Sequence, residues 1–323
     1  MRAIRIEQNG GPEVMALVDA PAGEPRPGEV RVRHEAIGVN FIDTYHRTGL
    51  YKIPLPGGLG LEASGVVDAI GANITRFKQG DRIAYASGPR GAYADSNVVQ
   101  ETQAVRLPDG IAFDVAAASL LKGMTARFLL RKTFRVERGH VVVIHAAAGG
   151  VGQIAVQWAK HLGATVIAVV GTDAKADIPR ALGADHVIVL ARENLAERVR
   201  EHTGGKGAHV VYDSVGKDTF LASLNSVRPL GMLVSFGNAS GPPPDISPLV
   251  LAQKGSLFLT RPTISSYTAT TEQLDETAAD LFEVLKNGAV KIAAPKHYAL
   301  ADVTQAHRDL EGRKTTGSLV LVP

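Results

Sequence analysis

Residues 145–152 read HAAAGGVG, and they lie between an apolar run, VVVI at 141–144, and a segment whose apolar residues fall at helical spacing. A glycine-rich turn that leads from a buried strand into a helix is suited to one kind of chemistry. The first backbone N–H groups of a helix lack intrahelical acceptors, and the helix dipole adds partial positive charge at the same place. Together they hold a pyrophosphate. The pattern here is Ala147-x-Gly149-x-x-Gly152, with alanine in the first glycine position of the dinucleotide-binding fingerprint. Gly149, Gly150 and Val151 are expected against the phosphates, and Gly152 at a close helix–strand approach.

The residues after the second strand bear on which dinucleotide is bound. An acidic residue about 20 positions beyond the turn marks a reader of the unmodified ribose. Gly171 stands there instead, in VGTDAK at 170–175. Glycine leaves room for a 2′-phosphate, and Thr172 and Lys175 follow it, lysine supplying a positive partner. NADPH is therefore expected over NADH. Asp173 is a competing candidate for the ribose if the strand ends later.

The elements that position this turn divide the chain in two. At 323 residues, about two domains are expected. The first third is β-rich: 29–39 alternates, and glycines recur at 57, 58, 60, 65, 71, 80, 88 and 91. After about Phe113 the rhythm changes to strand and helix in alternation. Strands are expected at 141–144, 165–170, 187–190, 210–212, 232–236 and 257–260, with helices near 151–162, 178–182, 194–202 and 220–227. That alternation is the mark of a doubly wound parallel sheet. A further helix is expected at 272–287. A last strand at 316–322 is expected to return to the first module, which sets one domain at 1–112 and 290–323 and the other at 113–289.

Composition excludes several chemistries. The chain has no cysteine, so it has no disulfide, thiol nucleophile or thiolate-bound metal. Its ten histidines show no HExxH spacing. Lysine and arginine number 35 against 32 acidic residues, without a basic run, which gives nucleic acid or a membrane surface no support as a partner. No apolar stretch is long enough to span a bilayer and no secretory leader is visible, so a cytoplasmic chain is expected. Neither a GxSxG elbow nor a P-loop occurs.

A series of segments resembles the zinc-independent, zeta-crystallin-like quinone oxidoreductases of the medium-chain dehydrogenase/reductase superfamily, nearly end to end. They are GVNFIDTY at 38–45, GLY at 49–51, GLGLEASG at 58–65, AASLLKGMT at 117–125 and the glycine turn. VYDSVG at 211–216, VSFGN at 234–238 and GSLFLTRP at 255–262 complete the series. The resemblance implies a GroES-like catalytic domain built from both chain ends, a Rossmann domain between, and the cofactor in the cleft. It also implies NADPH-dependent quinone reduction and a homodimer assembled through the Rossmann sheets. Carried over by position, Phe41, Ile42 and Tyr45 flank the nicotinamide, and Thr125 and Phe128 line the cleft. Gly150 to Gly152 hold pyrophosphate, and Gly171, Thr172 and Lys175 the adenosine phosphate. Val215, Phe236, Gly237, Asn238, Arg261 and Thr263 contact the remainder. Zinc-dependent relatives place a metal-binding histidine in a GHE motif, whereas Leu61 stands between Gly60 and Glu62 here. A tyrosine of the family near the adenosine phosphate is replaced by Leu190, and Arg192 is a candidate substitute.

A quinone needs little acid catalysis. Hydride addition yields an aromatic, delocalised anion, so positioning dominates. The polar candidates on the catalytic side are Asn40, Asp43, Tyr45 and Tyr51. Tyrosine can stack on a quinone and hydrogen-bond its oxygen, while Asp43 either orients neighbours or caps a helix that starts after Asn40. Two other readings are open at this stage: reduction of an enone or alkenal double bond, and a non-catalytic crystallin-like protein binding NADPH or RNA.

Overall fold

The computed structural model describes residues 1–312 and 315–323. The chain divides into two compact units, 1–124 with 268–282 and 292–323, and 125–267 with 283–291.

In the first unit the organising element is the strand Glu29–Val39. Its alternation buries Val30, Val32, His34 and Ala36. One side pairs antiparallel with Glu62–Ile70 along nearly the whole length. The other side is shared by two partners, Ser96–Gln100 against residues 29–33 and Leu319–Val322 against residues 37–39. The expected return of the last strand therefore occurs, and Lys296–Ala299 adds parallel to it. The sheet continues from Glu62–Ile70 through Arg82–Tyr85 to Ala104–Arg106. A second sheet of Ala16–Asp19, Arg2–Ile6 and Gly57–Gly58 lies in the same unit. Ile4, Ile6, Ile37, Val67, Ile83, Tyr85, Tyr93 and Leu321 form its core.

The second unit carries six parallel strands. Their spatial order is His186–Val189, Thr165–Val170, Val141–Ile144, Ala208–Asp213, Val227–Ser235 and Phe258–Thr260. Numbered along the chain this is 3-2-1-4-5-6, the Rossmann order, with its reversal between the first and fourth strands. Helices Gly150–His161, Asp177–Ala181, Leu195–His202 and Phe220–Ser226 connect them. Strands buried on both faces need continuous apolar runs, as Val142, Val143, Val166 to Val170, Val210 and Val211 provide. Among the described residues no helix is long and apolar enough to cross a membrane.

The division differs from the expected one: 113–124 and 268–282 fall in the first unit, and 290–291 in the second. Helix Phe113–Phe128 begins in the first unit, and the break falls at Met124. Its Ala117 and Ala118 pack with Ala36 and Val320, and Ser318 Oγ donates to the Ala118 carbonyl at 2.7 Å. Small side chains let this helix lie close to the sheet of the first unit, and that packing outweighs the change in sequence rhythm at Phe113.

Candidate cofactor site and reduction site

In the Rossmann unit the turn closes as the sequence requires. Gly149 N–H donates to the Ala146 carbonyl at 2.8 Å, with Ala146 in the left-handed region at φ 48°. A Cβ on Gly152 would lie 2.3 Å from that carbonyl oxygen and 2.7 Å from Ala147 Cα, so only glycine fits. Gly149 and Gly150, at the start of helix Gly150–His161, are half-buried. Beyond the second strand Gly171 and Thr172 are exposed, and a Cβ on Gly171 would meet nothing within 4 Å. This open side beside a tight cradle fits a dinucleotide with an extra phosphate.

Asp173 is committed elsewhere. Its carboxylate accepts from Arg192 Nε at 2.9 Å, both side chains being more than half exposed. Lys175 is half-buried two residues on. Arg192, the candidate substitute for the family tyrosine, thus stands on the same edge, while Leu190 packs against the core of the unit.

A residue that sequence reasoning did not single out shapes the next loop. Asp213, fully buried at a strand end, accepts from the N–H of Val215 at 2.8 Å and of Gly216 at 3.1 Å, and from the hydroxyls of Thr219 and Ser223. Burial opposes its charge, and these donors with neighbouring His145 hold its carboxyl below the usual range. His145 itself is a core histidine, with Nε2 2.8 Å from Ser223 Oγ. The Asp213 bonds fix Val215. Phe236 is half-buried, Gly237 and Asn238 are buried, and Gly237 leaves no room for a Cβ beside the Ser214 carbonyl. Arg261 and Thr263 are exposed. Thr125 is half-buried, but Phe128 is only 2% exposed and stacks on Tyr267 at 4.6 Å.

In the other unit, helix Phe41–Thr48 has two faces. Phe41, Ile42 and Tyr45 are half-buried with edges at the surface, and Tyr51 joins them, its ring 5.2 Å from that of Tyr45 in an edge-on pair. Asp43, Thr44, His46 and Arg47 are buried. The buried side carries a hydrogen-bond chain that leaves Asp43 Oδ1 and His46 Nδ1 without a partner among the described residues. Arg47, 1% exposed, makes a two-pronged pair with Glu311 at 2.7 and 2.9 Å and donates to the Gly10 carbonyl at 3.1 Å. Its Nη1 also donates to His307 Nδ1 at 2.8 Å. A guanidinium cannot accept, so His307 carries its proton on Nε2, which lies 3.0 Å from the Tyr93 oxygen. The Tyr93 O–H in turn donates to Asp43 Oδ2 at 2.8 Å, and the Asn40 N–H donates to the same oxygen at 2.8 Å.

Asp43 thus caps the helix and terminates a hydrogen-bond chain. At zero exposure it is out of reach of a diffusing substrate, which corrects its place among the candidate catalytic groups. Burial, the largest influence, pushes its carboxyl up to about 7, against the bonds from Tyr93 and Asn40. Burial and then Arg47 push His307 down to about 3, so it stays neutral. Asn40 is only 7% exposed, with Nδ2 2.8 Å from Glu62 Oε2, whereas Tyr45 and Tyr51 keep edges at the surface.

The comparisons with known proteins match this geometry. The Alcohol dehydrogenase GroES-like domain family matches residues 26–109, and the Zinc-binding dehydrogenase family matches residues 150–284. A Quinone oxidoreductase of Pseudomonas aeruginosa is 51% identical, covering 100% of this chain and 99% of that protein. The chain belongs to the quinone oxidoreductase family of medium-chain dehydrogenases/reductases. Solved structures of two other quinone oxidoreductases have the same fold. That of Pseudomonas syringae is 49% identical with a TM-score of 0.98, covering 100% of this chain and 99% of that one. That of Escherichia coli, complexed with NADPH, is 45% identical with a TM-score of 0.98 and covers 100% of both chains.

The raised carboxyl of Asp43 makes this quinone oxidoreductase family member sensitive to pH. An aspartate whose pKa is higher folded than unfolded binds its proton more tightly in the native state. Stability then falls as pH rises from about 4 to about 7, and the loss persists above that range. Asp43→Asn keeps an oxygen for Tyr93 and Asn40 and never ionises. It is expected to raise Tm at pH 8 by a few degrees relative to the parent chain and to change it little at pH 4, as thermal unfolding at the two pH values will show.

Proposed function

We propose that this protein is an NADPH-dependent quinone reductase that works without a metal. The reading is carried by identity along the whole chain to quinone oxidoreductases, one of them crystallised with NADPH, together with a glycine cradle that fits the cofactor. When bound, NADPH supplies a hydride from nicotinamide C4, and a quinone that takes it becomes an aromatic anion that is protonated from water.

The Rossmann unit binds. The first-turn N–H groups of Gly150 to Gly152 take the pyrophosphate, and Gly171, Thr172 and Lys175 take the adenosine phosphate, with Arg192 beside them. Val215, Phe236, Gly237, Asn238, Arg261, Thr263 and Thr125 hold the remainder. The GroES-like unit orients. Phe41, Ile42 and Tyr45 support the nicotinamide, and Tyr45 and Tyr51 give a flat acceptor an aromatic wall with hydroxyls to steady its oxygens. No strong acid needs to be present, because the product anion is delocalised. A reducing cytoplasm suits a chain without cysteine.

The assembly reading follows from one sheet edge. The last strand, Phe258–Thr260, exposes both Phe258 (57%) and Leu259 (36%), and nearby Leu230, at φ 60°, is 67% exposed. An unpaired edge carrying large apolar groups is a template for another strand. We assign it to a homodimer formed sheet to sheet.

Pure protein is expected to oxidise NADPH in the presence of 1,4-benzoquinone, followed at the reduced nicotinamide's absorbance, and to prefer it to an enone. Absence of quinone turnover ends this reading. Arg192→Ala is expected to raise KM for NADPH about tenfold, the worth of one charge-assisted bond, and to leave KM for NADH unchanged. Phe258→Asp is expected to convert the dimer to a monomer by light scattering with the fold retained.

A further inference from the structure

Glu62 has no part in the chemistry described so far, yet two other segments of the GroES-like unit, 38–40 and helix Phe113–Phe128, converge on it. It is fully buried, at the start of strand Glu62–Ile70. Oε1 accepts the N–H of Leu121 at 2.7 Å. Oε2 accepts Asn40 Nδ2 at 2.8 Å and faces Lys122 Nζ at 3.4 Å. Lys122 is itself 7% exposed. A buried carboxylate is retained only where donors and a counter-charge compensate it, and both are here.

Space for the carboxylate has been made on the neighbouring strand. Gly38 pairs opposite Glu62, and a Cβ there would stand 2.2 Å from Oε2 and 2.4 Å from the Ala117 carbonyl oxygen. Ala117 is the residue one turn before Leu121, whose N–H the carboxylate takes. The glutamate is thus wedged between a strand and a helix backbone. The GVN and GLE segments, separate in sequence, meet as one construction around the Asn40 amide.

We propose that Glu62 is the positioning residue of the reduction site. By accepting from Nδ2, its Oε2 holds the Asn40 amide in one orientation, with the other end toward the Asp43 backbone in the capping box of helix Phe41–Thr48. An asparagine offers a donor at one end and an acceptor at the other, so a free amide would present the wrong end in a share of turnovers. Lys122 Nζ, 3.4 Å away, faces the same Oε2. Leu121 N–H locks the other oxygen, so the carboxylate cannot rotate away.

This inference rests on the quinone reductase reading, and the test separates the two. Glu62→Gln, Asn40→Ser and the double variant are to be assayed with NADPH and 1,4-benzoquinone, alongside Tm and the NADPH dissociation constant by nicotinamide fluorescence. The glutamine amide keeps an oxygen for Leu121 N–H but turns an NH2 toward the Asn40 amide. Each single variant is expected to lower kcat about tenfold, the double variant no further than the lower single, and NADPH affinity to stay within about threefold. A purely structural Glu62 would lower Tm and give multiplied losses in the double variant. Multiplied losses, or parental kcat in Glu62→Gln, overturn the proposal. Should Glu62→Gln not fold, Glu62→Asp, which keeps the charge but withdraws it by one methylene, takes its place in the same cycle with the same two overturning outcomes. An inactive parent chain defeats the function reading instead.

Discussion

The Arg47 guanidinium, out of solvent with four of its five N–H donors met, is the interaction on which helix Phe41–Thr48 depends. A buried guanidinium is costly unless acceptors gather around it. Gathering them forces the segments of Gly10, His307 and Glu311 to one point. Through His307 and Tyr93 the constraint is passed on to Asp43, and so to the first turn of helix Phe41–Thr48. The helix has no freedom to roll. Its aromatic face is held at the surface because its polar face is bolted down.

The Rossmann unit solves a different problem. There the shape lies in backbone: Gly152 has no room for a Cβ beside the Ala146 carbonyl, whereas a Cβ on Gly171 would meet nothing within 4 Å. Asp213 does for the Val215 loop what Arg47 does for the Phe41 helix, with the sign of the charge reversed. In both units a buried ionised group fixes the shape of a segment that itself carries no formal charge at the point of contact.

Periodicity and glycine placement made much of this visible in the sequence. The strands Val141–Ile144 and Thr165–Val170 announce themselves as apolar runs, and Gly152 is the residue the turn demands. Other elements gave no such signal. Helix Phe113–Phe128 is apolar on nearly every side, with Ala116, Ala117, Leu120 and Met124 all buried, so it shows no amphipathic stripe. Helix Val303–Glu311 was not read as an element. The stacking partner of Phe128, Tyr267, lies far along the chain, where no local pattern points to it. The polar network is the least legible part. Arg47 and Glu311, or Glu62 and Leu121, are brought together only by tertiary folding, and nothing local in an Arg or a Glu tells a buried pair from a solvated one. The Gly38 and Glu62 segments were noticed as markers, but their register across two strands was the missing fact.

The pairing of Leu319–Val322 with residues 37–39 has a bearing on biosynthesis. A ribosome emits residues 37–39 before the parallel sheet and their partner strand after it, so every strand of that sheet emerges while this stretch is still unpaired. The nucleotide-binding half can therefore mature on the nascent chain. Residues 29–33 of the same edge are covered early by Ser96–Gln100, which leaves only the short end at 37–39 for nascent-chain chaperones to shield.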